Sequence, residues 1–108
     1  MSGPLLHATI VVRPQRAEIL CQRLLADNLI EDLTAMECRG YGRQKGHLDS
    51  YEGDEYAIDF LPKVVITGCI AASNRDRLVD LVNRTARTGR IGDGKIFLMP
   101  IETVVDGA

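Results

Sequence analysis

At 108 residues, 45% of them hydrophobic and 26% charged, the chain has the balance of one soluble domain and lacks the length for two. Lys+Arg number 13 against Asp+Glu 15, with no Trp, three Tyr and two Phe, so the phosphate neutralisation and base stacking on which nucleic-acid affinity rests are both undersupplied. Cys21, Cys38 and Cys69 are odd in number, far apart and without metal-ligand spacing, which argues against a disulfide framework or a zinc site and fits a reducing compartment.

The opening stretch MSGPLLHATIVV has no basic start and is interrupted by His7 and Thr9, so it does not read as a secretion signal. The longest apolar run, residues 64–72, contains Gly68 and falls far short of the roughly 20 residues a membrane span needs. The expected location is the cytoplasm. HATIVV at 7–12 predicts a strand, ended by Arg13-Pro14 because proline cannot continue a ladder and biases its predecessor toward extended geometry. A helix beginning at Pro14 follows, with Ala17, Leu20, Cys21, Leu24 and Leu25 on one apolar stripe and Asn28 as its terminator.

The alternation of Thr34, Met36 and Cys38 against Ala35, Glu37 and Arg39 predicts a second strand over 33–41. Then comes GRQKGHLDSYEGDEYAID, rich in glycine and charge and without an apolar period. Long irregular excursions in small domains are usually functional, which makes this segment the place to look for binding. Residues 60–71, FLPKVVITGCIA, predict a third strand, with Pro62 confining its beginning to an edge or a bulge. Ser73 and Asp76 resemble a capping box. The helix behind them carries Leu78, Val79, Leu81, Val82, Thr85 and Ala86 inward and stops at Gly89. KIFLM at 95–99 is the fourth strand, broken by Pro100, and residues 101–105 could add a short edge strand. The order βαββαβ predicts an α+β, ferredoxin-like sheet with both helices on one face. Many unrelated activities use that architecture, so function must come from motifs.

GRIGDGK at 89–95 fits the beginning of a phosphate-binding P-loop in glycine and lysine spacing. It lacks the Ser/Thr that would hold a metal, and a strand rather than a helix follows, so only the underlying chemistry survives. Gly92 and Gly94 let backbone N–H groups face an anion, and Lys95 supplies a point charge. GYGRQKG at 40–46 likewise combines close-approach glycines with Arg43, Lys45 and the Gln44 amide. Each turn alone reads as readily as an ordinary solvated loop, but two in one small domain suggest a shared anionic ligand. His7 reads as a packed strand histidine, His47 has no nucleophile at useful spacing, and the carboxylates at 49–55 read as a solvated acidic face. No catalytic constellation emerges, and an enzyme is not expected.

Three segments, GYGRQKGH at 40–47, EYAIDFLPKV at 55–64 and RTARTGRIGDGKIF at 84–97, resemble the PII family of nitrogen and carbon signal-transduction regulators. The likeness runs from about residue 7 to residue 105. It implies a single domain over 1–108 that assembles as a homotrimer, with an adenine-nucleotide site in each cleft between subunits. It also implies a T-loop at about 42–59 that docks on a membrane transporter or metabolic enzyme, and a B-loop at about 87–95. By the same resemblance Thr34 lies beside the adenosine, and Gly42, Arg43 and Gln44 lie at the phosphates. Gln44 is also near the magnesium that bridges ATP to 2-oxoglutarate. Gly92, Asp93, Gly94 and Lys95 match the B-loop that holds the phosphates from the other side, Lys63 matches the lysine that pairs with 2-oxoglutarate, and Arg13 falls where a basic residue approaches that ligand.

Two departures from the family pattern bear on ligand choice. The R-x-R-T-G segment, whose two arginines reach the phosphates from the neighbouring subunit, aligns with Asp106 and Ala108, where this chain ends. Losing two charge-assisted contacts of about 1.5–3 kcal/mol each weakens triphosphate binding by on the order of 100-fold or more. The implied function is therefore a non-enzymatic sensor of ATP or ADP, with 2-oxoglutarate, in nitrogen metabolism. The alternative is a divergent member that answers to ADP or AMP, with bicarbonate, and regulates inorganic-carbon or other transport. The uridylylated tyrosine aligns with Tyr56, but Glu52 and Asp54 replace the basic or neutral residues usual around it.

Overall fold

The computed structural model describes residues 3–44, 57–89 and 94–107, with the backbone alone described at 41–44 and 57–60. The elements run β1 (Leu5–Val12), α1 (Pro14–Ala26), β2 (Glu31–Gln44), β3 (Ala57–Ala71), α2 (Arg75–Ala86) and β4 (Gly94–Ile101), with a 3-10 turn, Ala72–Asn74, leading into α2. The sheet order is β2-β3-β1-β4 and every neighbouring pair is antiparallel, as the ferredoxin-like reading requires.

Strand alternation divides the sheet into two unlike faces. Ala8, Ile10 and Val12 of β1 and Val64, Ile66 and Ile70 of β3 point into a core completed by Ala17, Leu20 and Leu24 of α1 and Leu78, Leu81, Val82 and Ala86 of α2. Each fully buried Leu or Ile contributes about 1.5–3 kcal/mol relative to exposure, so this layer is the main source of stability. Among the described residues the opposite face carries no helix. His7, Thr9, Val11, Val65, Thr67 and Cys69 are half-buried there, and their neighbours Met36, Phe97 and Met99 are 56%, 51% and 54% exposed. Between the helices, Arg23 donates a hydrogen bond from Nη1 to Oγ1 of Thr85 at 3.2 Å. Thr85→Val removes that acceptor while Arg23 turns to water, and a urea melt is expected to register a loss of about 1 kcal/mol.

The helix ends differ from the sequence reading in instructive ways. In α1 the seam is Ala17, Leu20 and Leu24; Cys21 is only half-buried, and Leu25, rotated about 100° from Leu24, is 52% exposed. Asn28 does terminate the helix. It adopts φ +53° while its N–H reaches the Leu25 carbonyl and the Leu29 N–H reaches that of Leu24, a Schellman arrangement. The capping box is not formed: Ser73 belongs to the 3-10 turn, Asn74 takes the cap position, and no side chain caps α2. That helix ends at Ala86 rather than at Gly89, whose φ of +82° belongs to the turn beyond it.

Two strand ends also differ. Pro100 does not break β4, because β4 is an edge strand and proline is tolerated where its missing N–H faces away from the ladder; residues 102–107 then add no strand. The β2/β3 ladder runs from Cys38↔Lys63 on through Gly42↔Asp59 to Gln44↔Ala57, so both ends of the predicted irregular excursion are strand. From Arg39↔Pro62 onward this hairpin extends past the end of β1 by roughly 20 Å, at ~3.4 Å per residue. Pro62 lies on that stretch, where β3 has no β1 partner, which is the edge environment its chemistry demands.

Candidate functional site

The C-terminal end of β1 is where the cationic residues gather. Val12 is register partner of both Val64 on β3 and Gly94 on β4. Arg13, the residue after Val12, therefore arrives at the same end of the sheet as Lys63, the residue before Val64, and as the beginning of β4. Gly94 has φ +150°, and a β-carbon there would run into the Val11 carbonyl oxygen, so only glycine lets β4 start this close to β1.

Val11, Val12, Val82, Asn83, Ala86, Arg87, Gly94, Lys95 and Ile96 enclose a cleft of about 460 Å³ at this end. Among the described residues its floor is aliphatic, its charged groups are one guanidinium and one ammonium, and no carboxylate lines it. That donor set suits an amphiphilic anion, with apolar contact for a ring and positive charge for phosphate. Arg87 and Asn83 are the contributors that the motif reading passed over. The usable signal was positional: a basic residue just past a helix C-terminus is both stabilised there and aimed at whatever occupies the turn.

The other anticipated residues are spread out. Thr34 is exposed on β2, opposite Thr67 on β3, and β2 and β4 are the two edges of the sheet. Three inter-strand steps separate the strand of Thr34 from that of Lys95, roughly 14 Å. Gly42, Arg43 and Gln44 lie on the projecting hairpin, with Gly42 four residues, roughly 13 Å, beyond Cys38. Within one chain, then, Arg13, Lys63, Gly94 and Lys95 come to one end of the sheet, while Thr34 and the 42–44 segment do not reach the cleft. Gly92, Asp93 and Tyr56 lie outside the described residues.

The remaining chemistry is quiet. Burial pushes the Cys69 thiol up, and the carboxylates of Glu31 and Asp32 push it further the same way; burial also raises Cys21. Both thiols are held in the protonated, poorly nucleophilic form at neutral pH. Among the described residues no group of His, Cys, Asp and Glu is placed to hold a metal ion, and no helix is long and apolar enough to cross a membrane.

Fold and cleft together define a ferredoxin-like α+β domain with a cationic hollow at one end of the sheet and a two-stranded arm beyond it. The chain matches the family profile described as nitrogen regulatory protein P-II over residues 7–106. It is 42% identical over 97 residues to nitrogen regulatory protein GlnK of Escherichia coli strain K12, covering 90% of this chain and 86% of GlnK. It is 50% identical over 76 residues to nitrogen regulatory protein P-II of Azospirillum brasilense, covering 70% and 68% of the two chains. Among solved structures, B. subtilis GlnK aligns at TM-score 0.72 and 28% identity over 93% of this chain and 87% of that one. The ATP complex of B. subtilis GlnK aligns at TM-score 0.72 and 29% identity over 94% and 84%. This chain belongs to the nitrogen regulatory protein P-II family.

Proposed function

We propose that the protein is a non-enzymatic, cytoplasmic regulator that binds adenine nucleotide between neighbouring copies of a homotrimer and reports its occupancy through the β2/β3 arm. The observation that carries this reading is the division of the anticipated site between opposite edges of the sheet. Lys95 and the cationic cleft lie on the β4 side, and Thr34 lies on the β2 side. One nucleotide can touch both sets only if the β4 edge of one copy meets the β2 edge of another. The helix-free face supports such an assembly, since Met36, Phe97 and Met99 stand about half exposed on it and apolar side chains gathered on one face favour an interaction there. The solved ATP complex of the related B. subtilis protein supports ATP as ligand.

In this reading the phosphates lie against Lys95, Gly94 and the Gly92–Asp93 backbone of one copy, and against Gly42, Arg43 and Gln44 of the next. The Gln44 amide oxygen would help hold a magnesium ion bound with ATP, and that ion would neutralise part of the phosphate charge. Lys63 and Arg13, which converge on the end of β1, would take the carboxylates of 2-oxoglutarate. A ligand that closes the root of the arm favours one arm geometry, and a transporter or enzyme that binds only that geometry is thereby controlled. Tyr56, on the segment joining the two arm strands, is the candidate uridylylation site, to be tested by incubation with UTP and a uridylyltransferase and a mass shift of one UMP.

The test is calorimetric titration with ATP, ADP and AMP, with and without magnesium and 2-oxoglutarate. Lys95→Ala is expected to lower ATP affinity by about 10- to 100-fold, the loss of one or two charge-assisted hydrogen bonds, with the fold intact. Equal ATP affinity in that variant would remove the cleft from the site. A second reading rests on Asp106 and Ala108, which stand where the family pattern has arginines. It assigns ADP or AMP as the preferred nucleotide and bicarbonate as the second ligand, with inorganic-carbon or other transport as the process controlled. A MgATP-dependent response to 2-oxoglutarate rejects it, and a bicarbonate effect on ADP or AMP binding favours it.

A further inference from the structure

One row of side chains crosses the helix-free face near the end of the sheet. Glu31 on β2 is in register with Cys69 on β3, Cys69 with His7 on β1, and His7 with Met99 on β4. Register partners on neighbouring strands point to the same side of a sheet, and Ala8, Ile70 and Leu98, next to them in sequence, pack on the core side. His7 and Cys69 are half-buried and Met99 is 54% exposed. The rows flanking them on β1, β3 and β4 are Leu5, Ala71 and Ile101 toward the sheet end and Thr9, Thr67 and Phe97 inward, none of them charged.

A thiol, an imidazole and a thioether on three consecutive strands are three metal donors of soft or borderline character. Directly opposed residues have β-carbons about 4.5–5.5 Å apart, close enough for both to ligate one ion, and the long unbranched Met99 side chain adapts to meet them. Glu31 stands on the other side of Cys69, but Glu31, Cys69 and His7 are not placed to hold an ion together, which leaves the thioether as the third donor. That donor decides the metal. Zinc takes thiolate, imidazole and carboxylate, whereas a thioether beside a thiolate selects Cu(I). Charge agrees, because one thiolate neutralises one monovalent ion among uncharged neighbours, where a divalent ion would keep a surplus charge. We propose that Cys69, His7 and Met99 form a three-coordinate Cu(I) site on the helix-free face, with all three donors from one copy. Binding replaces the proton on Cys69 Sγ with the ion and releases that proton to water; copper enters and stays as Cu(I), so no electron moves. The row lies one step in from the sheet end, and the exposed Met99 marks the route by which an ion arrives. The assignment does not rest on the nucleotide reading.

The test is an anaerobic titration of the full-length protein with Cu(I), kept reduced by ascorbate, in competition with the chromophoric Cu(I) chelator bicinchoninate. Circular dichroism verifies the fold of each variant. Wild type is expected to hold its first Cu(I) equivalent between two sulfurs and one nitrogen, as read by X-ray absorption. Cys69→Ser should weaken binding of that equivalent by at least about 100-fold, and His7→Gln and Met99→Leu by about tenfold each. Met99→Leu nearly conserves volume at an exposed position, so it keeps its fold, and its copper should show one sulfur instead of two. Cys38→Ser and Met36→Leu change the same residue types on β2 and should bind the first equivalent as wild type does. The proposal is overturned if Cys69→Ser or Met99→Leu matches wild type, if Cys38→Ser or Met36→Leu loses as much as its counterpart, or if Zn(II) at equal concentration displaces the copper.

Discussion

Replacing Gly68 with alanine is expected to lower the thermal midpoint by roughly 10–20 °C, the equivalent of about 3 kcal/mol in a domain of this size. Gly68 lies on β3 opposite a bulge in β2, where the register jumps from Glu31↔Cys69 to Thr34↔Thr67 and Asp32 takes φ +55°. The bulge draws the start of β2 across the sheet, and the nearly buried Ile30 side chain comes to rest over the Gly68 α-carbon. A β-carbon there would run into Ile30 Cγ1 and come within 2.9 Å of the Glu31 carbonyl oxygen. A flexible side chain could yield, but the Glu31 carbonyl is backbone at the start of a paired strand and cannot move without opening the bulge. Gly40 is the internal control: its β-carbon would meet Lys63 Cγ at 3.3 Å, the stem of a long side chain that can shift. Gly40→Ala should stay within about 1 kcal/mol of wild type by thermal melt, and comparable losses in the two variants would refute the bulge argument.

The second large effect concerns assembly. Thr67→Arg should convert the proposed trimer to monomer, raising its dissociation constant at least about 1,000-fold, because three arginines would be brought into one interface without partners. Thr67 sits at the centre of the helix-free face, in register with Thr9 on one side and Thr34 on the other. Its side chain does not enter the helix-side core, so the monomer should keep its fold. Light scattering reads the result directly: wild type at three times the 11.9 kDa chain mass and the variant at one. A variant that remains trimeric would show that this face is not the interface. Loss of ATP binding alongside the loss of trimer is the corollary, since Thr34 and Lys95 of different copies would no longer face one nucleotide.

Much of the fold was legible because most of its signals are local. The β-branched run of HATIVV and the apolar period of α2 each depend on neighbours in sequence, and both elements are present, with β1 starting two residues earlier and α2 ending three residues sooner than expected. The errors come where a partner strand decides. Nothing in GRQK or YAID alternates in hydropathy, yet Gly42–Gln44 and Ala57–Asp59 pair because each strand continues a ladder already begun. Pro100 reads as a breaker because sequence alone does not tell an edge strand from a central one. Leu25 reads as inward because an apolar residue beside a stripe looks like part of it, whereas the width of the stripe is set by what packs on it. For the site, the lysine and glycine of GDGK were evident from chemistry. Arg87 was not, because its importance lies in the cleft it lines, and that cleft exists only once β1, α2 and β4 are assembled.

Among the described residues the projecting β2/β3 hairpin joins the domain through the Cys38↔Lys63 level, and hydrogen bonding between its strands stiffens it along its length. It therefore works as a lever. A tilt of about 10° at the root would carry the Gln44–Ala57 end through roughly 3.5 Å, given a 20 Å arm at ~3.4 Å per residue. That displacement exceeds a hydrogen-bond length, enough to break a docked partner's polar contacts while the body of the domain stays still.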